Sequence, residues 1–546
     1  MPELPGRRSS ILLELDLTEV PVDPEPTDPV SRFRSRGRRS LRPTLRALHE
    51  AGEDRRVSGL IAKVGGGLPW TVVQELRLGV QAFAAGGKPT VAWAESFGDG
   101  SGDLAAYVLA TAFDEVWLQP GGGVGLLGVG IETTFLRGAL DRLGVEPQFE
   151  QRYEYKNAAD QVLRTELTPA HREALEQLAE STFTDAVEAI ARDRELDPLR
   201  VRELVDTGPR TAPEALDAAL VDKLGYRDQV YAAIRSKIGD EPELLYADRW
   251  RPPPRPHLPR RRRGHVALVE ARGAIASGAS RRGASGRQLG SDSVSAELRA
   301  AVEDEHTRAV VLHVDSPGGS AVASETIWRE VCRVREADKP VVVSMGAAAA
   351  SGGYYIACPA DVILALPSTL TGSIGVFGGK FVLDDLLSRV GISTGAVEQG
   401  SRSRMFSSRR GFRDDERERL AAIIDAIYDD FVSKVATGRG RTVSEIEAVA
   451  RGRVWTGRDA VGQGLLDELG GLRDALRIAR DRAGLPEDAP VVRPLDLPLL
   501  ARLGRPRNSE DPRALARATW PGLAELTTAL ELPAGTTLRM PSVRIR

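Results

Sequence analysis

The chain is poor in the residues that mark several large classes of protein. It has only two cysteines, Cys332 and Cys358. They allow one bridge at most and stand at no metal-ligand spacing, which excludes a disulfide scaffold and a cysteine-based metal module. Both are expected to be buried free thiols. Histidine is scarce too: there are six, and none follows His313. That excludes a Ser-His-Asp order with a late histidine, as in α/β-hydrolases. A net charge of −3 leaves no global field to draw the protein to nucleic acid or membrane. No signal peptide is visible after Met1, and Ile11–Leu17, broken by Glu14 and Asp16, reads as a strand. The most apolar region, Pro340–Pro367, contains Ser351-Gly352-Gly353, Pro359 and Asp361. It reads as a buried strand, a small-residue turn and a buried helix, and is rejected as a membrane span.

What is present is a duplication. Residues Tyr107–Gly130 (YVLATAFDEVWLQPGGGVGLLGVG) align without a gap on Tyr354–Phe377 (YYIACPADVILALPSTLTGSIGVF) at an offset of 247. Further on, Ala219–Gly225 (ALVDKLG) matches Gly464–Gly470 (GLLDELG) at an offset of 245. The expected organisation is a first repeat over 1–247, a linker over 248–264, a second repeat over 265–489 and a tail over 490–546. The linker, DRWRPPPRPHLPRRRRG, has prolines that forbid helix and sheet ladder, so a stiff, solvated segment is expected. Its Arg260–Arg263 run reads as linker charge, and the six arginines of 32–42 as a surface loop with little aromatic interleaving. Nucleic acid is not an expected partner.

Within each copy, short β-branched runs alternate with helical patterns, which means a largely parallel sheet with right-handed crossovers. In the second copy Ala309–Val314 reads as a buried strand, Ser316–Ser320 as a turn, Ala323–Glu336 as a helix and Pro340–Met345 as the next strand. Ser351 opens a helix of small and aromatic residues, where its hydroxyl is either an N-cap or a group presented at the positive helix end. Gly318 and Gly319 lack side chains, so an amide there approaches a ligand oxygen closely, as an oxyanion hole requires. His313, on the buried strand, reads as structural.

SPGGS at Ser316–Ser320, AASGGYY at Ala349–Tyr355, STLTGSIG at Ser368–Gly375 and WTGRDAVGQGLLDELG at Trp455–Gly470 together resemble the signal peptide peptidase A (protease IV) family in its long, double-domain form. The resemblance implies two tandem crotonase-like (Clp protease-like) α/β domains and Ser–Lys peptidase chemistry. By motif, the nucleophile position falls on Ser351 and the lysine-orienting serine on Ser373. The oxyanion position falls within Gly318 and Gly319, with Gly352 beside them. YEYKNAA at Tyr153–Ala159 looks like the family's lysine motif, which places the general base at Lys156. At offset 247, Leu104 stands opposite Ser351 and Leu126 opposite Ser373. A shifted alignment puts Arg404 opposite Lys156, and arginine cannot be deprotonated in a protein. One copy thus carries a base without a nucleophile, and the other a nucleophile without a base.

The Ala347–Ala350 run departs from the family, which more often has a larger or polar residue just after Gly346. The first copy's Gly65–Gly67 turn lacks the Ser-Pro. Neither a metal nor an organic cofactor is indicated. The resemblance further implies apolar peptide substrates such as spent signal peptides, a homotetramer, and membrane association. With no transmembrane or signal segment visible, that association is expected to be peripheral, and the cytoplasmic side is left open. A crotonase-like acyl-CoA enzyme and a non-catalytic membrane-stress scaffold are the alternatives.

Overall fold

Residues 10–23, 38–98, 102–239, 241–253, 264–283, 286–495 and 535–539 are described by the structure, a computed structural model. Among them, residue contacts define two compact units. The first takes residues within Met1–Gly130 and Thr182–Pro259, the second those within Ile131–Ser181 and Arg260–Ile545. Ile131–Ser181, which precedes the linker in chain order, therefore belongs to the same unit as the second repeat.

The first unit is built on a six-stranded parallel sheet in the order Lys223–Leu224, Glu115–Leu118, Thr90–Ala94, Val57–Val64, Ile11–Leu17, Glu243–Tyr246. Its strands are apolar on both faces because both faces are covered. Leu13, Leu15 and Leu17 pack on one side with Leu60, Ala62 and Val64, against Val73, Leu76, Val80 and Phe83 of helix Trp70–Ala84. Leu12, Ile61, Val91 and Trp93 point the other way, onto Val230 and Ile234 of helix Arg227–Ile238. Period-two alternation within continuous apolar runs produces this division.

The second unit repeats the plan. His265–Arg272 and Thr307–Ser316 lie side by side and parallel, flanked by Val491–Val492 and by Val341–Ala350. Val341–Ala350 pairs along Val342–Ser344 with Val362–Ala365, and along Ala348–Ala350 with Leu370–Gly372. The equivalence extends to single hydrogen bonds. Tyr107 donates to the Leu220 carbonyl at 2.6 Å, and Tyr354 to that of Leu465 at 2.8 Å. The Arg194 guanidinium grips Asp222 through two bonds of 2.9 Å, and Arg439 grips Asp467 through bonds of 3.1 and 2.6 Å. Each aspartate also accepts from a strand amide at 2.7 Å, Val116 in one unit and Ile363 in the other. Both offsets read from the sequence are thus embodied in buried contacts.

A further sheet in the second unit runs Arg281–Gly283, Gly286–Gly290, Ala274–Ala276, Gly318–Ser320, Gly535–Arg539, Val376–Val382, Glu146–Arg152. Gly318–Ser320, read as part of a turn, is a short strand here, because it pairs with the neighbouring backbone of Ala274–Ala276 despite the weak β propensity of glycine.

Pro340–Pro367 contains the expected strand (Val341–Ala350) and short buried helix (Gly352–Ala357), followed by a second strand, Val362–Ala365. Cys358 is a buried free thiol, whereas Cys332, on helix Ala321–Glu336, is only half-buried. Trp250, at the start of the expected linker, is not solvated: it is 3% exposed and donates to Asp54 at 3.2 Å. The remainder of that linker, residues 254–263, lies outside the described residues, as do residues 32–37 of the arginine-rich stretch. Val491–Val492, at the start of the expected tail, completes the sheet beside His265–Arg272. His313 is buried, with Nδ1 3.3 Å from the Ser344 hydroxyl. Among the described residues, no helix is long and apolar enough to cross a membrane.

Candidate active site

The second unit brings Lys156, Ser351 and Ser373 into direct contact. Each serine follows the end of a strand, Ser351 after Val341–Ala350 and Ser373 after Leu370–Gly372. The strands are neighbours, and the Ser351 amide donates to the Gly372 carbonyl at 2.8 Å. Both serines have positive φ, +55° at Ser351 and +49° at Ser373. For a residue with a Cβ such a backbone costs about 1–3 kcal/mol and persists only where surrounding structure enforces it. Ser351 caps helix Gly352–Ala357 by position, but its side chain makes no capping bond. The hydroxyl is directed elsewhere.

Lys156 arrives from the opposite side of the site. The strand Glu146–Arg152 pairs antiparallel with Val376–Val382 over seven residues, with Arg152 opposite Val376. Four residues on, the lysine is held down by the Arg451–Arg453 stretch. Arg451 binds Glu154 through two bonds of 2.8 Å, and Arg453 pairs with Glu173 at 2.9 Å. Between them Gly452, at φ +88°, lies so close to Lys156 that a Cβ would stand 2.6 Å from the lysine Cα. Only glycine fits. Gly452 also donates to the Ile374 carbonyl at 2.7 Å, and Ser373 to that of Arg453 at 2.6 Å, so one stretch positions both lysine and serine.

The lysine Nζ lies 2.7 Å from Ser351 Oγ, 3.0 Å from Ser373 Oγ and 2.9 Å from the Ser373 carbonyl. All three side chains are fully buried. Burial pushes the lysine ammonium well below its ordinary range, because desolvation disfavours the charged form. A neutral amine has two N–H groups and one lone pair. In the neutral form Nζ donates to the Ser373 carbonyl and hydroxyl, and the 2.7 Å contact with Ser351 Oγ is short enough for its lone pair to accept from that hydroxyl.

The three candidate glycines are packed together beside Ser351. A Cβ on Gly352 would stand 2.7 Å from Ser324 Oγ and 3.2 Å from both Gly318 Cα and Gly319 N. Gly318, at φ +97°, donates its amide to Ser316 Oγ at 3.2 Å. Gly319 sits opposite Ile275 in the sheet. Arg404, aligned with Lys156 from the sequence, pairs with Glu398 at 3.2 Å. The sequence reading missed Gly452 and its arginine neighbours. Their signal is the RGR at Arg451–Arg453 just before the Trp455–Gly470 motif, which carries no chemistry by itself.

In the first unit, the corresponding positions hold Leu104 and Leu126, both buried in the core. Asp103 caps helix Leu104–Ala110, and its carboxylate accepts from the amides of Ala106 at 2.9 Å and Gly67 at 2.8 Å. The first copy's glycine turn thus already has an internal anion. A cleft of about 570 Å³ lies near the same strand ends, lined by Lys63, Gly65, Glu95, Ser96 and Arg210 among others.

Peptidase family S49 matches the chain over residues 82–239 and 333–486, together more than half of its length. Protease 4 of Salmonella typhi is 32% identical over 462 residues, covering 82% of this chain and 72% of that protein. The chloroplastic serine protease SPPA of Arabidopsis thaliana is 29% identical over 472 residues, covering 84% and 67% respectively. Among solved structures, a mutant ClpP1 from Listeria monocytogenes matches at 16% identity with a TM-score of 0.25, covering 38% of this chain and 94% of that one. The tandem α/β architecture expected from the sequence is the one found, with one family match in each repeat and a helix-covered, largely parallel sheet in each unit.

Proposed function

Since the chain belongs to peptidase family S49, we propose that it is a serine endopeptidase with Ser351 as nucleophile and Lys156 as general base. The observation that carries this reading is the buried amine 2.7 Å from Ser351 Oγ, with its two other contacts on Ser373. A serine hydroxyl is a weak nucleophile until a neighbour takes its proton. Lys156, neutral through burial, takes it as Oγ attacks the scissile carbonyl. Ser373 holds the amine in line. The developing oxyanion is received by a backbone amide of Gly319 or Gly352, the Gly318 amide being bonded to Ser316 Oγ, aided by the N-terminal end of the helix that Ser351 opens. Lys156 then gives the proton to the leaving amine. Water, deprotonated by the same lysine, hydrolyses the acyl-enzyme and releases Ser351.

Apolar peptides held in an extended form are the proposed substrates. Assembly as a homotetramer and peripheral membrane contact are part of the same proposal. The exposed Val390, Ile392 and Val397 give apolar surface for either. The test is hydrolysis of internally quenched apolar peptides by wild type, Ser351→Ala and Lys156→Ala. Both variants are expected to fold and to lose activity by about 10³-fold or more. Substantial hydrolysis by Lys156→Ala overturns the dyad. Acyl-CoA turnover in place of peptide hydrolysis would point to the crotonase alternative.

A further inference from the structure

The helix that begins after Ser351 carries two tyrosines in succession, and they are anchored differently. Tyr354 makes the bond to the Leu465 carbonyl that Tyr107 repeats with Leu220 in the first unit. Tyr355 falls opposite Val108 at the offset of 247, so the first copy has no hydroxyl to match it. The Tyr355 hydroxyl bonds to the Glu325 carboxylate and lies 2.7 Å from that of Asp430. Lys434 Nζ bridges the same two carboxylates, 2.7 Å from Glu325 and 2.6 Å from Asp430. It also stands 4.7 Å over the Trp328 ring. The Tyr355 ring packs on Phe431 with 4.8 Å between centroids. Tyr355 itself is buried, whereas both carboxylates are nearly half exposed.

These contacts tie together three helices that meet at the candidate site. Glu325 and Trp328 lie on Ala321–Glu336, which starts directly after the strand Gly318–Ser320. Asp430, Phe431 and Lys434 lie on Asp414–Arg439. Tyr355 lies on Gly352–Ala357, and its amide donates to the Ser351 carbonyl at 2.9 Å. Ser351 is thus held on both sides, its amide by the Gly372 carbonyl and its carbonyl by the Tyr355 amide. The gap between Ala321–Glu336 and Gly352–Ala357 has no slack, since a Cβ on Gly352 would stand 2.7 Å from Ser324 Oγ, one residue before Glu325. Burial, and then the two carboxylates, push the Tyr355 phenol well above its ordinary range, so it remains a donor. One O–H serves one carboxylate at a time, and the Lys434 ammonium balances the charge of the other.

We infer that Tyr355 is a positioning residue for the nucleophile: held by Glu325, Asp430 and Lys434, its hydroxyl fixes the first turn of its helix and so keeps Ser351 in the positive-φ backbone from which Oγ meets Lys156. The inference rests on the peptidase reading. A backbone of that kind persists only where its surroundings enforce it, and the Tyr355 contacts supply enforcement from the carbonyl side. The scaffold tyrosine is kept in both copies, but the second tyrosine stands only in the copy that has serine in place of Leu104. Precise placement matters, because a shift of about 1 Å at the reacting atoms costs about 10²-fold in rate.

The experiment compares Tyr355→Phe with Tyr354→Phe. Each removes one buried hydroxyl from the same helix and keeps the ring, so each should lower the denaturation midpoint. Tyr355→Phe is expected to reduce kcat for a quenched apolar peptide by about tenfold with KM within about twofold, and to slow acylation of Ser351 by a serine-reactive probe to the same extent. Tyr354→Phe should stay within about threefold of wild type in both rates. The pair Glu325→Ala/Asp430→Ala, at half-exposed positions, covers the case in which Tyr355→Phe does not fold. It should also lose about tenfold in kcat, and adding it to Tyr355→Phe should cost no more than about twofold further, since the carboxylates then have no hydroxyl to hold. Wild-type kcat in Tyr355→Phe or in the carboxylate pair, or equal rate losses in Tyr354→Phe and Tyr355→Phe, overturns the inference. A wild type that neither hydrolyses peptide nor labels at Ser351 would sink the peptidase reading and this inference with it. Wild-type hydrolysis that Tyr355→Phe matches would sink this inference alone.

Discussion

The two repeats share a sheet order, a buried tyrosine–carbonyl bond and an arginine–aspartate grip, yet differ where chemistry would occur. In the second unit a strained serine hydroxyl meets a buried lysine amine at 2.7 Å. In the first, a leucine stands at the same position, and the nearby glycine-turn amide is taken by the Asp103 carboxylate. The scaffold contacts were kept in both because the tyrosine ties its helix to the bend before the next strand and the aspartate ties the arginine's helix to a strand amide. The polar contacts exist only where they have a use, because a buried polar group without a partner costs about 1–3 kcal/mol. The difference also shows that the unit of chemistry is not the unit of duplication. Lys156 precedes the linker in the chain but lies in the same compact unit as Ser351.

The contrast is broken most severely by giving the lysine position the residue aligned with it in the second copy. Lys156→Arg introduces a permanent positive charge that cannot act as a base, so peptide hydrolysis should fall by about 10³-fold or more. Hydrolysis near the wild-type rate at neutral pH would argue against a proton-transfer role. The converse change moves the nucleophile into the first copy. Leu104→Ser in a Ser351→Ala background should remain inactive, since no lysine accompanies it. It should also lower stability by about 3 kcal/mol, seen as an earlier denaturation midpoint, because a buried leucine is lost and a hydroxyl is left in the core. Ser373→Ala should reduce kcat by about 10–100-fold with little change in KM, since the Ser373 carbonyl still accepts one lysine N–H. A loss confined to KM would assign Ser373 to substrate binding.

The smallest expected effect is on stability. In the unfolded chain Lys156 keeps its proton up to about pH 10.4. In the folded chain burial makes it release that proton at much lower pH. Between those values the unfolded state binds more protons, so stability rises with pH and the buried lysine costs stability as pH falls. Lys156→Met should therefore melt a few degrees above wild type near neutral pH. The gap should widen as pH is lowered from about 10 toward the folded-state pKa. A variant melting below wild type across that range would mean that the lysine is held charged.

Much of this was legible in the sequence for a physical reason. Parallel strands buried on both faces write short apolar runs, and LIA within Val57–Val64, AVVL within Thr307–Ser316 and VVV within Val341–Ala350 are such runs. A gap-free offset of 247 residues then fixes which residue faces which. What stayed hidden depends on pairing across long separations. Glu146–Arg152 (EPQFEQR) has no clear alternation, and it becomes a strand because Val376–Val382 offers it an edge. Gly452 looks like any loop glycine until the Lys156 backbone is placed against it. Gly535–Arg539 finds its place between two strands far upstream, paired with Gly318–Ser320 and Phe377–Gly379, so no local signal announces it.

The most direct test of the serine–lysine pair is the rate at which a serine-reactive probe acylates Ser351 as a function of pH, with the modified residue identified by mass spectrometry. For wild type, labelling should rise along a single ionisation whose midpoint lies well below the ordinary lysine value of about 10.4. In Lys156→Met it should be slow and flat across the same range. Labelling of Ser351 in Lys156→Met at the wild-type rate, with the wild-type pH profile, would contradict the assignment of Lys156 as the base.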